Sequence, residues 1–211
     1  DGIKTIVDNV RKSGDFSGKL AETIVLNMTD GLFANRLLLV GNGAPDKFDA
    51  KNSVKAIRAA VAVLAKTAAK TATLSADGFQ PTDRDIDWTL TRVAQEAGNT
   101  AYKYDRTKSK KATPAKLATV QVMPRDQLAR KAQNAAIELG KAISLGMSTA
   151  RDLGTLPGNI CTPSFLAQTA TEMGLKYKSL KVKALTEKQM ERLGMGSLLS
   201  AGHGSQEESR L

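Results

Sequence analysis

The sequence predicts an α/β fold: an N-terminal α/β domain with a mostly parallel sheet, a long linker helix, and the truncated beginning of a second α/β domain. Three observations carry this. Apolar, β-branched runs alternate with helically periodic segments over the first 125 residues. The longest periodic segment, 127–153, is rich in alanine and glycine. A second strand-helix succession opens at Thr162 and finds no completed sheet before Leu211. The corresponding domains are 1–125, 126–153 and 154–211.

In chain order, Glu22 to Thr29 reads as a strand through Ile24, Val25, Leu26 and Met28. Arg36 to Gly43 ("RLLLVGNG") is a continuous apolar run stopped by glycines, the mark of a strand buried on both faces. Val54, Ile57, Val61, Leu64 and Ala68 fall at helical spacing, so Asp49 to Lys70 is an amphipathic helix. "TATLS" follows as a short strand, and Asp77-Gly78 as a turn. Trp88, Val93, Ala97 and Ala101 mark a helix from Asp85 to Tyr104, and Leu117 to Met123 alternates as a strand.

The central segment has Asp126 as its N-cap. Leu128, Ala132, Ala135, Leu139, Ile143, Met147 and Ala150 form one face, while Ala136, Gly140, Ala142 and Gly146 keep the helix slim. Its length of roughly 40 Å, at 1.5 Å per residue, suits a strut between domains. Beyond it a helix starts near Pro163, and 178–185 ("KSLKVKAL") alternates as a half-buried strand. Thr186 and Gln189 then form a capping box closed by Gly194. The rest reads as a polar loop, with a new strand beginning at Arg210-Leu211.

At 211 residues with 41% hydrophobic content, the chain can bury a sizeable core. No run of about 18 apolar residues occurs, which excludes a transmembrane helix and a membrane partner. The N-terminus lacks the layout of a signal peptide. One cysteine makes no internal disulfide, which fits a reducing compartment. The net charge of +10 favours polyanionic partners.

Little of this carries chemistry. His203 stands two residues from Ser205, but no third orienting group or oxyanion hole accompanies them, so a turn histidine is expected. Cys161 reads as a small buried hydrophobe. With one histidine and one cysteine, only a carboxylate metal site is open, and Asp83 to Asp87 read better as loop and helix-start charges. "GNGAPD" (41–46) lies between strand and helix, where phosphate loops occur. It carries Asp46 where a third glycine is wanted, and reads as a tight turn. The strongest feature is basic: 99–131 holds nine Lys and Arg against two Asp. Within it Lys103, Arg106, Lys108, Lys110, Lys111 and Lys116 are the candidate nucleic-acid contacts, since lysine loops bind phosphates without reading sequence. A solvated lysine loop accounts for the run equally well.

Two stretches strongly resemble the dimetal leucyl aminopeptidases, the cytosol aminopeptidase family. One is "RDLGTLPGNICTPSFLA", with Asp152-Leu153, Pro157, Asn159 and Thr162-Pro163. The other is "LTEKQMERLGMGSLLSAGHGSQEESRL", with Leu193 to Gly196 and Gly204-Ser205. "FSGKLAETIVL" and "NRLLLVGNG" resemble the family's N-terminal domain. The resemblance implies that 154–211 opens the catalytic domain and that the first strand of the N-terminal domain lies before Asp1. It implies a cytoplasmic, hexameric exopeptidase that cuts amino acids, leucine preferred, from peptide N-termini. Two divalent ions, manganese or zinc, would activate a water and polarise the scissile carbonyl. None of the family's catalytic or metal-binding motifs occurs in 1–211, so no catalytic or metal residue is assigned, no metal is expected on this segment, and the segment alone is expected to be inactive. Some bacterial relatives also bind DNA, which makes a regulatory DNA-binding domain acting through 103–116 the alternative.

Overall fold

The computed structural model describes residues 2–27, 34–124 and 129–211. The backbone groups into two compact units, 1–150 and 151–211.

The first unit opens with helix α1, Gly2–Ser13. Strands β1, Thr23–Asn27, and β2, Arg36–Val40, pair antiparallel, with Thr23 opposite Val40 and Asn27 opposite Arg36. Met28 and Thr29 of the expected first strand lie outside the described residues. Helix α2, Ala50–Lys66, is capped by Asp49, whose carboxylate accepts the Asn52 N–H at 2.8 Å. Strand β3, Thr71–Ser75, leads through helix α3, Ile86–Ala101, to strand β4, Thr119–Met123. The two strands pair in parallel, Thr71 beside Thr119 and Ser75 beside Met123.

The α/β class holds, and among the described residues parallel pairing is confined to β3–β4. Connection length decides this. Only a short connection joins Asn27 to Arg36, too little for the crossover that parallel strands require. Between β3 and β4 the whole of α3 intervenes, which is the crossover a parallel pair needs. The apolar run at 36–40 is therefore a half-buried hairpin partner and not a strand covered on both faces.

The core forms around α2. Ser53, Ala56, Ile57, Ala60 and Val61, at helical spacing, are buried. Around them pack Phe48, Leu74, Phe79 and Val93, with Leu38 and Val40 of β2 and Val120 and Val122 of β4 at the margin. Arg58 of α2 reaches across to Glu96 of α3 through two bonds of 3.0 Å.

Helix α4, Arg130–Thr155, follows β4. The expected cap Asp126 and the start of the predicted helix, Gln127 and Leu128, lie outside the described residues. The face of α4 turned to protein is in part the alanine and glycine face that its slim sequence leads one to expect, and not the one the leucines mark. Ala136, Gly140 and Ser144 are buried, whereas Leu139 and Leu145 are more than half exposed, and Ala135, Ala142, Gly146 and Ala150 also stand out. The cause is close approach. A Cβ on Gly140 would lie 2.7 Å from Ala94 Cβ and would overlap the Thr91 carbonyl oxygen. Thr91 Oγ1 sits 3.1 Å from the Ala136 carbonyl oxygen, and Gln95 Nε2 donates to Met147 Sδ at 3.4 Å.

The second unit holds helices α5, Pro163–Lys176, α6, Glu187–Arg192, and α7, Gly196–Gly202, with Met190 at its buried centre. Residues 178–185 do not form the expected strand. Their one ladder contact is at Leu185, which exchanges backbone bonds with Leu211 at 2.7 and 3.3 Å. A strand requires a neighbour along its length, and here a single residue pair supplies it.

Candidate functional site

The stretch 151–167 is built from helix ends. Thr155 Oγ1 donates to the Arg151 carbonyl at 2.6 Å, and the Leu156 N–H continues the helical pattern to Asp152. Pro157 starts a turn whose carbonyl accepts the N–H groups of Ile160 and Cys161, each at 2.9 Å. Thr162 then caps α5, accepting the Phe165 N–H at 3.2 Å, and Pro163 occupies the first helical position, where a missing N–H costs nothing. Every polar signature residue of this stretch with a described bond serves the turn. Cys161 is a half-buried free thiol.

The remaining candidates resolve in the same way. His203 is the exposed C-cap of α7, a helix the glycine-rich sequence did not announce. Ser205 Oγ accepts the Glu207 N–H at 3.0 Å. Glu187 draws the C-terminal segment onto α6 by accepting the Ser209 N–H at 2.7 Å. That bond and the Ser209 hydroxyl, with lesser help from the charges of Arg210 and His203, hold the Glu187 carboxyl below its ordinary range against the opposing effect of burial. Asp85 caps α3 by accepting the Trp88 N–H at 2.8 Å, and Asp83 pairs with Arg84 at 3.2 Å. In the 41–46 turn, Asn42 Nδ2 donates to the Gly78 carbonyl at 2.6 Å, and the Gly43 N–H reaches Gly18 at 2.9 Å. This is a turn held by its neighbours.

Among the described residues, no three His, Cys, Asp or Glu side chains gather as a metal site. The residues present do not fit the two divalent ions that the resemblance implies, and no step of metal chemistry is derived from them.

Lys103, Arg106, Lys108, Lys110, Lys111 and Lys116 are all exposed on the irregular segment between α3 and β4. Two of the six line a common cavity. Lys103 and Lys116 come together at a cavity of about 500 Å³ at the ends of α2 and α3, where Lys66 joins them; Arg106, Lys108, Lys110 and Lys111 do not line it. Lys66 lies outside the basic run, and its position in the last turn of α2 is the one sequence signal that could have indicated it.

Comparison with known proteins covers the chain nearly end to end. The model "Cytosol aminopeptidase family, N-terminal domain" matches residues 1–111, and "Cytosol aminopeptidase family, catalytic domain" matches 148–211. A probable cytosol aminopeptidase of Alkalilimnicola ehrlichii is 39% identical over 95% of this chain and 40% of its own length. A cytosol aminopeptidase of Pseudomonas aeruginosa is 36% identical over 100% of this chain and 42% of its own. A tomato leucine aminopeptidase mutant shares the fold, with a TM-score of 0.80 at 18% identity over 99% of this chain and 40% of that one. The bottromycin maturation enzyme BotP, solved in complex with Mn, has a TM-score of 0.76 at 24% identity over 95% of this chain and 40% of that one. The chain thus spans about 40% of the length of the curated relatives it matches.

Proposed function

Because this chain belongs to the cytosol aminopeptidase family, we propose that it contributes the N-terminal domain, the connecting helix and the first part of the catalytic domain to a leucyl aminopeptidase. The whole protein releases N-terminal amino acids, leucine preferred, from peptides in the cytoplasm and works as a hexamer. Residues 1–125 are its N-terminal domain, 126–153 the connecting segment that holds most of α4, and 154–211 the opening of the catalytic domain.

The observation that carries this reading is the agreement between two boundaries. The catalytic-domain model begins at 148, and the backbone divides between 150 and 151, both within α4. The segment that follows is a turn and a capped helix, which suits a joint. The ligands for the two divalent ions, manganese or zinc, belong to parts of the protein outside this chain; among its described residues no three His, Cys, Asp or Glu side chains gather where a metal could be held.

The test compares chain 1–211 with the whole protein on leucine p-nitroanilide, each with added manganese or zinc. Turnover is expected from the whole protein alone. Metal-dependent turnover by 1–211 would overturn this division of labour, and an inactive whole protein would overturn the assignment of activity. The nucleic-acid alternative gains no support: its six residues are spread along an irregular segment, and four of them share no cavity with the other two.

A further inference from the structure

We propose that the cavity at the C-terminal ends of α2 and α3 binds a small phosphorylated ligand of nucleotide size. The cavity has a volume of about 500 Å³ and is lined by the end of α2 and the turn after it, by the end of α3, and by 113–116 on the approach to β4. That volume falls within the roughly 300–1,000 Å³ of small-molecule sites.

Its lining has two chemical parts. Methyl groups of Ala62, Ala65, Ala68, Ala101 and Ala115, with the Pro114 ring, make an apolar wall. Such a wall of short side chains suits a flat ring better than a flexible chain, because it offers area without side chains that must be ordered on binding. The other part is cationic and hydroxylic: Lys66, Lys103 and Lys116, with Thr67, Thr100 and Thr113, and no carboxylate in the lining. Among the described residues none of the three lysines meets an acidic group.

Two of the lysines have another reason to be where they are. Lys66 sits in the last turn of α2 and Lys103 just past α3, where a cation answers the helix dipole. Lys116 stands at a bend on the approach to β4, on neither helix, and brings a third positive charge to the same opening. Three separate ammonium groups also favour phosphate over a planar carboxylate. A carboxylate is best held by the fixed fork of an arginine, whereas phosphate accepts point-charge donors from several directions. No arginine lines the cavity. An apolar ring bearing one or two phosphates matches both parts together.

The experiment uses the intact protein and measures equilibrium binding of ADP, adenosine and pyrophosphate at about 0.15 M salt, where charges more than about 8 Å apart are largely screened. ADP is expected to bind at least about tenfold more tightly than either part alone, since each part engages one half of the lining. Lys66→Ala, Lys103→Ala and Lys116→Ala are each expected to weaken ADP by about fivefold or more. The triple variant Lys108→Ala/Lys110→Ala/Lys111→Ala removes three charges from outside the cavity, against one in each cavity variant, and is expected to change binding less than twofold. Ala101→Trp, at an exposed helix end, fills the cavity and is expected to abolish binding with the melting temperature unchanged. Four results would each overturn the proposal: no saturation by ADP below about 5 mM; adenosine binding as tightly as ADP; the outer triple variant weakening ADP as much as the cavity variants do; or full binding by a folded Ala101→Trp protein. If Ala101→Trp fails to fold, the lysine variants decide alone.

Discussion

Adding one methyl group at Gly140 tests the close packing of α4 against α3. An ideal Cβ there would lie 2.7 Å from Ala94 Cβ and 3.1 Å from the Gln95 nitrogen, and would overlap the Thr91 carbonyl oxygen. Carbon atoms normally rest about 3.5–4.0 Å apart, so α3 and α4 must separate by roughly an ångström. Two of the three atoms belong to the α3 backbone and have no rotamer into which to retreat. Overpacking of this kind costs about 1–3 kcal/mol. Replacing glycine by alanine within a helix returns about 0.5–1 kcal/mol. Gly140→Ala should therefore destabilise the first unit by roughly 1–2 kcal/mol. Gly146, on the same helix, has nothing within 4 Å of an added Cβ. There the propensity gain acts alone, and Gly146→Ala should stabilise by about 0.5–1 kcal/mol. Urea unfolding followed by the fluorescence of Trp88, the one tryptophan, reports on the first unit. The midpoints should rank Gly146→Ala above wild type and wild type above Gly140→Ala. A Gly140→Ala midpoint at or above wild type would refute the close contact.

Three further outcomes follow from the described contacts. Arg58→Ala should cost about 1–2 kcal/mol, because it strips a largely buried Glu96 carboxylate of its partner while Arg58 itself is 61% exposed; a double-mutant cycle with Glu96→Gln measures the coupling, and the same Glu96 bonds hold the Arg58 pKa above its ordinary value. Glu187 has a lowered folded-state pKa, so its hold on Ser209 is complete above the ordinary carboxylate range and is lost as pH falls through the lowered value. The protection factor of the Ser209 N–H, its exchange relative to the intrinsic rate at the same pH, should fall below about pH 4.5, and in Glu187→Gln it should be lower and free of that titration. Thr162→Ala removes the bond to the Phe165 N–H and should cost about 1 kcal/mol, seen as faster exchange in the first turn of α5, with Thr162→Ser retaining protection.

The helices were legible where burial and hydrophobicity coincide. Ile57 and Val61 point inward on α2, and the caps Asp49, Asp85 and Thr162 stand where their side-chain oxygens accept N–H groups. Thr186 with Gln189, and Gly194 at φ +70°, likewise close α6 as their spacing indicated. Helix α1 is signalled by the helical spacing of Ile3, Ile6, Val7 and Val10, and α7 is masked in the sequence by its bounding glycines. The turn at 157–163 was legible because its chemistry is local: Pro157, Thr162 and Pro163 act within a few residues of themselves. The cavity was not, because Lys66, Lys103 and Lys116 meet only through the packing of α2 on α3 and the return of the chain to β4.

Helix α4 shows why periodicity alone assigns a face poorly. A stripe that includes Leu139 should face protein if burying apolar area were the sole consideration. The observed face instead contains Ala136, Gly140 and Ser144, and it meets another small-residue site, where a Cβ on Gly98 would lie 2.8 Å from Ser144 Cβ. Small residues on both helices let the backbones approach, so contacts accumulate along the whole interface in place of a few leucine insertions. Thr91 can then reach the Ala136 carbonyl, and Gln95 can reach Met147. These polar contacts need the same short separation. The outward leucines follow from that choice: with α3 held at this distance, a leucine at 136, 140 or 144 has no space, and Leu139 and Leu145 fall on the remaining circumference of the helix.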